Sequence, residues 1–313
     1  MYVLRWGRVM SLYESFTTEE IARLLKVSKL TVYDLIKKGE LQAYRVGRQM
    51  RVDATELENY KIRGQEVKTG HEKTIEKTDS MRQIVISGQD NSLDILARQL
   101  EIKTKNLRPL RSYAGSLDSL ISMYQGKADI VSTHLFDGDT KTYNVSYVRK
   151  LLVSKSFIIV KFIKRQAGLY VAKGNPKKVS SWKDLTNSNI TIVNREPGAG
   201  ARVLLDEQLR LYDIRRDQVA GYKNEHTSHL AIASVIASGR ADVGVGIEQT
   251  AKLANIDFIP MIEESYDLVM LKNEQSDALI TEVLTILNDA NFKEKLHSLD
   301  YDIEGIGEVI WEQ

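Results

Sequence analysis

The chain has 313 residues, 42% of them hydrophobic, enough for a core and for more than one domain. It has no cysteine, which excludes a disulfide framework, a thiolate metal site and a thiol nucleophile. The formal charge is +2, no apolar run is long enough to span a bilayer, and Met1 to Met10 carries no signal-peptide core, so a soluble cytoplasmic protein with no membrane partner is expected.

The charge is unevenly placed. Between Lys26 and Arg51, seven basic residues stand against Asp34 and Glu40, a local net of +5. A charge run is by default a solvated face, so the order of residues has to decide. Thr17-Thr18-Glu19-Glu20 opens a helix: a threonine cap with acids at the positive end of the dipole. Ile21, Leu24 and Leu25 give it an apolar face. Ser28 caps a second helix over about Lys29 to Lys38, with Leu30, Val32, Leu35 and Ile36 as its apolar contacts and Gly39 as its stop. Two short helices around a tight turn read as helix-turn-helix. Leu41 to Val52 alternates apolar and basic residues about Gly47, the pattern of a β-hairpin wing, and Asp53 to Tyr60 reads as a final helix.

Taken together, Thr18-Glu19-Glu20-Ile21-Ala22, Leu25 to Leu41 and Tyr44-Arg45-Val46-Gly47-Arg48 resemble the excisionase and MerR-like winged helix-turn-helix family across nearly all of residues 11–62. That resemblance implies a second helix in the major groove of double-stranded DNA and a wing on its backbone or minor groove. It assigns Ser28, Lys29, Thr31 and Tyr33 to the helix contacts and Arg45, Arg48 and Arg51 to the wing. Lysine and arginine would supply the salt-dependent phosphate term, and polar side chains near the helix start would reach base edges. Tyr33 has a second reading as a core residue of the head, and Arg51 as a brace of the wing.

Residues 63–81 are polar, with Val67 and Ile75 the only aliphatic residues before Met81, and cannot bury a core. They read as a linker, in which His71 is a solvated side chain. From residue 82 to 313 strands alternate with helices. Gln83 to Ser87 precedes a helix from Asn91, and Asn106 to Tyr113 precedes one that runs to Gln125. Ile190 to Asn194 precedes Val203 to Arg210, and Ala241 to Gly246 follows His229 to Ser238. This order means an α/β fold with mostly parallel strands and ligands at the strands' C-terminal ends. Several helix starts carry small residues: Ser87 to Asp90, Ser116, Gly198 to Arg202, and Thr227-Ser228. Small residues let backbone N–H groups approach an anion, although each serine or threonine taken alone is first of all a cap.

Ser87 to Asp94, Gly115-Ser116-Leu117, Gly126 to Ile130, Thr133 to Asp137, Gly198 to Asp206 and Ala237 to Gly244 together look like the periplasmic-binding-protein-like domain, molybdate type. The whole chain is thus read as a small winged helix-turn-helix head plus an α/β two-lobed periplasmic-binding-protein-like domain. The resemblance implies lobe 1 at about 82–165 and 266–313, lobe 2 at about 170–262, and crossing strands at 158–171 and 258–269. It implies an oxyanion, molybdate or tungstate, held by Ser87 and Ser116 from lobe 1 and by amides near Ala199, Gly200, Ala201, Thr227 and Ser228 from lobe 2. Thr133, His134, Asn194 and Arg202 complete the candidate set. Where relatives of molybdate type place a site-closing tyrosine, this chain has Gly246-Ile247; His134, Asn194 or Arg202 would replace it, or the ligand is larger.

The reading is a ligand-responsive transcription regulator, a homodimer on DNA, with no cofactor and no catalytic residues. One alternative is a sensor of an organic small molecule. Another is an enzyme on a binding-protein fold, but no nucleophile stands beside a base, and His226 with His229 lacks a third metal ligand. A DNA-bending excisionase would not need residues 82–313.

Overall fold

In a computed structural model, the structure describes residues 15–313 except positions 26, 40, 48, 54–55, 58–59, 61–80 and 105. The chain divides into two compact units, Met1–Thr78 and Asp79–Gln313. The small unit contains β1 (Ser15–Thr17), α1 (Thr18–Leu25), α2 (Lys29–Lys37), β2 (Tyr44–Val46) and β3 (Gln49–Asp53). Thr17 and Glu20 form a reciprocal box at the start of α1: the Thr17 N–H donates to Glu20 Oε2 at 2.8 Å and the Glu20 N–H to Thr17 Oγ1 at 3.3 Å. Ser28 caps α2 through the Thr31 N–H at 3.1 Å, and Gly39 stops it at φ +74°. The wing turns at Gly47, φ +59°. One element was not foreseen: β1 adds a third antiparallel strand beside β3, too short to carry a pattern of its own. Ile21, Val32, Leu41, Val52 and Leu57 form the core. Two expectations need correction: Leu24 and Leu30 are exposed instead of facing that core.

The large unit is built on one mixed sheet. Its strands are β4 (Arg82–Ser87), β5 (Leu107–Ser112), β6 (Ile130–Thr133), β9 (Phe157–Val171), β10 (Ile192–Arg195), β11 (Glu225–His226), β12 (Val243–Ile247), β13 (Asp257–Leu271) and β14 (Val309–Glu312); a separate hairpin is made by β7 (Phe136–Asp137) and β8 (Thr142–Tyr143). The order is β11-β10-β12-β9-β13-β6-β4-β5, with β14 also on β9. At one end β4 runs parallel to β5 and β6, and at the other β10 runs parallel to β11 and β12. Between them the 15-residue strands β9 and β13 pair antiparallel along nearly their whole length. The sheet is therefore parallel at each end and antiparallel wherever β9 or β13 takes part, in its pairings with β6, β12 and β14 as well as along the seam.

Helices cover both faces: α3 (Ser92–Lys103), α4 (Ser116–Tyr124), α5 (Val145–Leu151), α9 (Asp277–Asn288) and α10 (Ala290–His297) on the first lobe, and α6 (Gly200–Leu211), α7 (His229–Ala237) and α8 (Glu248–Ala254) on the second. Each lobe holds two apolar clusters, one per sheet face. Strands buried on both faces explain the continuous apolar runs Ile84-Val85-Ile86 and Val243 to Ile247.

The seam itself is close-set. A Cβ built at Gly168 of β9 would lie 2.1 Å from the Ile259 carbonyl oxygen of β13, a backbone atom with no room to retreat. Gly168→Ala is expected to destabilise the large unit by about 1–3 kcal/mol through overpacking. Urea titration checks this; an unchanged midpoint would mean that the two strands part freely.

Candidate functional site

Two helices point their N-termini at each other across the cleft between the lobes. The tip of α4 comes from the first lobe and the tip of α6 from the second. A Cβ on Gly115 would meet the Ala199 backbone at 3.2 Å, and one on Gly200 would strike the His134 ring at 2.4 Å. The Leu117 N–H donates to the Gly198 carbonyl at 3.0 Å, closing the gap. Helices α2, α7 and α10 are capped by the side chains of Ser28, Ser228 and Asp289. Helices α4 and α6 have Gly115 and Ala199 at the cap and no side-chain cap bond. Leu117 and Arg202 spend their N–H groups on the Gly198 and Ala199 carbonyls, which leaves those of Ser116, Gly200 and Ala201 for something else. The cavity beside them is about 10 Å³, room for about one water and far below the range of pockets for drug-sized ligands.

Charged groups surround this cavity. Arg195 of β10 is buried; it holds Glu196 with Nε at 2.8 Å and reaches Gln89 Oε1 with Nη2 at 2.7 Å. Its Nη1 has no hydrogen-bond partner among the described residues. On the first-lobe side, the buried guanidinium of Arg165 donates from Nε to Glu264 Oε1 at 2.9 Å and from Nη1 to Asp90, and lies over the Tyr266 ring. Burial alone would raise Glu264, but Arg165 and then His134 outweigh it and hold the carboxyl at about 2. Asp90 is likewise held down, burial being outweighed by Arg165 and by hydrogen bonds from Ser92 and Tyr301. Glu264 Oε2 also contacts His134 Nδ1 at 2.8 Å, which directs the other ring nitrogen away from the carboxylate. Burial, then Arg195 and Arg165, push His229 well below the usual histidine range, which favours the neutral ring, and its Nδ1 is buried without a partner among the described residues.

The residues singled out from sequence divide into two sets. Ser116, His134, Ala199 and Gly200 come together around the cavity. Ser116 Oγ accepts the His134 N–H at 3.2 Å, leaving its own proton to donate. Thr133 lies next to them, fully buried, its Oγ1 without a partner among the described residues. The others are engaged elsewhere. Ser87 Oγ pairs with Ser119 Oγ at 2.9 Å. Asn194 bonds the Tyr222 carbonyl and the Arg195 N–H. Ala201 joins the second-lobe core. Arg202 bonds the Arg195 carbonyl and Glu225 and stacks on Tyr222. Ser228 is the cap of α7, and Thr227 offers only its carbonyl, to Arg195. Gln89, within the candidate helix start Ser87 to Asp90, reaches the cavity, whereas sequence reasoning missed Arg195 and Tyr266 on it and Arg165 and Glu264 behind it. The available signal was charge inside apolar strands. As for the tyrosine, Tyr170 binds Ile247 at both its N–H and its carbonyl, with its ring where a Gly246 side chain would be.

On the small unit, Lys29, Thr31, Tyr33 and Arg45 are exposed. Ser28 Oγ is shared with Thr31 Oγ1 at 2.8 Å, and Lys29 is paired with Glu19. Arg51 bonds Ser15, bracing the wing on β1; Arg48 lies outside the described residues.

A family model described as a PBP superfamily domain matches residues 97–288, and one described as a helix-turn-helix domain matches residues 15–64. The chain is 50% identical over 306 residues to the uncharacterized protein YvgK of Bacillus subtilis, covering 95% of this chain and 98% of that one. Among solved structures it is similar to a phosphate ABC transporter substrate-binding protein with bound phosphate from Clostridium perfringens, with TM-score 0.53, 13% identity, and coverage of 71% of this chain and 99% of that one. It is also similar to the sulfate-binding protein SubI of Mycobacterium tuberculosis, with TM-score 0.52, 13% identity, and coverage of 70% and 86%. At such identities the likeness is one of fold. No helix among the described residues is long and apolar enough to cross a membrane.

One carboxyl near the cleft makes a pH prediction. Asp267 of β13, opposite Thr133 in register, takes the Asn144 amide at 2.6 Å. Burial pushes it up to about 7 from 3.8. The unfolded chain releases this proton near the ordinary value and the folded one near neutrality. Its contribution to stability is therefore full at acid pH and lost as pH rises through about 7. Asp267→Asn keeps the bond to Asn144 without the charge. It should change little at about pH 4 and stabilise by a few kcal/mol at about pH 8. Denaturation at both pH values tests this; equal effects would exclude burial of the charge as the cause.

Proposed function

Because the chain belongs to the PBP superfamily domain family and carries a helix-turn-helix domain ahead of it, we propose that it is a DNA-binding transcription regulator whose large unit closes on a tetrahedral oxyanion, with molybdate and tungstate the first ligands to test. The observation that carries this reading is the pair of uncapped N-termini of α4 and α6, aimed at each other over a small cavity. Two positive dipole ends repel unless an anion sits between them. Ser116 Oγ, Arg195 Nη1, which has no partner among the described residues, and the amides of Gly115, Ser116, Gly200 and Ala201 would supply its donors. Arg165 adds no net positive charge, since Asp90 and Glu264 face it. The similar phosphate-bound and sulfate-binding proteins support the ligand class, not the ion. On this reading the protein is not an enzyme and binds DNA as a homodimer on paired half-sites.

Calorimetric titration of the full chain with molybdate, tungstate, sulfate, phosphate and small organic anions tests the ligand. A ligand at a hundred times its dissociation constant should add about 2.7 kcal/mol of stability. Arg195→Gln should weaken an oxyanion about ten- to a hundred-fold, the range for losing a hydrogen bond to a charged group. Binding of an organic anion with no response to any of the four oxyanions would overturn the ligand assignment. For DNA, Arg45→Ala should weaken binding to duplexes of every sequence and lower the salt slope by about one. Fluorescence anisotropy over a salt series reads this, and an unchanged slope would remove Arg45 from the interface.

A further inference from the structure

We infer that Leu30 is a base-reading residue of this protein, through apolar contact with the C5-methyl of a thymine in the major groove. The inference rests on the DNA-binding reading above and names what that reading leaves open. Helix α2 turns 100° per residue. Val32, fully buried, fixes the inner face, with Leu35 and Ile36 partly buried beside it. Leu30 is two residues, about 200°, from Val32 and stands 74% exposed. Tyr33, one turn on, and Lys37, two turns on, continue the same outer stripe, and both are exposed.

The polar side chains beside Leu30 are already engaged. Ser28 Oγ caps the helix and bonds Thr31 Oγ1. Lys29 is drawn back onto Glu19 of α1. What the first turn offers outward is therefore a leucine. A single exposed leucine is ordinary on a protein surface. This one lies in the turn that reaches base edges in a helix-turn-helix, with exposed Lys37, Lys38 and Arg45 nearby in the chain to meet phosphates. Of the base edges in the major groove, only thymine presents an apolar group.

The test uses the full chain. Binding sites are selected from random duplexes, and each thymine of the selected site is then replaced by deoxyuridine, which lacks only the methyl. One thymine per half-site should respond, with wild-type affinity falling about four-fold for the loss of one buried methyl. Leu30→Ala, an exposed change that leaves the core intact, should bind the thymine and uracil duplexes equally. The inference is overturned if no thymine methyl matters to the wild type, or if Leu30→Ala keeps the methyl dependence. It is also overturned if Leu30→Ala changes the mass of the free protein in sedimentation, which would make Leu30 a contact between copies. Failure to enrich any sequence at low salt would instead sink the DNA-binding reading, and this inference with it.

Discussion

The large unit depends on one buried cation. Arg165 sits in β9, where that strand passes from one lobe to the other, and is held between Asp90 after β4 and Glu264 of β13. A guanidinium at that depth is tolerable only with both carboxylates in place; removing one partner of a buried pair costs about 3–5 kcal/mol. The network reaches further. Tyr301 donates to Asp90, Tyr266 takes the Ser132 hydroxyl, and Glu264 fixes His134. The loop after β4, the end of β6, the seam and the C-terminal region are thereby tied to one side chain. The wall of the cavity that bears His134 is positioned by the charges behind it.

Against that wall the tip of α6 brings small residues and backbone, with Arg195 of β10 beside them. Gly200 packs on the His134 ring and Ala199 on Gly115. Gly200 admits no side chain without moving the His134 ring, and Gly115 none without moving the Ala199 backbone. The same smallness leaves α4 and α6 without side-chain caps. Close approach and open N–H groups are thus one feature of the sequence. Closure without an anion leaves two like dipole ends in opposition, softened by the Leu117–Gly198 bond and the Gln89–Arg195 bridge.

Much of the fold was legible in the sequence because local rules and tertiary structure agree. Ser28 and Gly39 bound α2, and the apolar runs mark the strands buried on both faces. The site was less legible, because residues one apart in a strand face opposite ways. Asn194 was a candidate and Arg195 was not, yet Asn194 turns into the lobe and Arg195 reaches the cavity wall. Ser87 turns to Ser119 while Gly88 and Gln89 reach the cavity. Arg202 fails for a similar reason: it follows the tip of α6 but is drawn back to Glu225 and Tyr222. Periodicity likewise assigned Leu30 an apolar contact, and only the position of Val32 shows it facing outward.

A regulator needs its ligand to prefer one state, and the donor arrangement proposed here has that property. The donors are split between lobes: α4 and Ser116 belong to the first, α6 and Arg195 to the second. An oxyanion in the open cleft would meet one set, and in the closed cleft both. If closure adds two hydrogen bonds to the ion at about 1.5–3 kcal/mol each, the closed state gains about 3–6 kcal/mol. Swinging a two-state equilibrium from 1:99 to 99:1 takes about 5.5 kcal/mol. The upper part of that range suffices without any contribution from remote contacts. An ion whose donors all came from one lobe would bind equally in both states and, however tightly held, would report nothing.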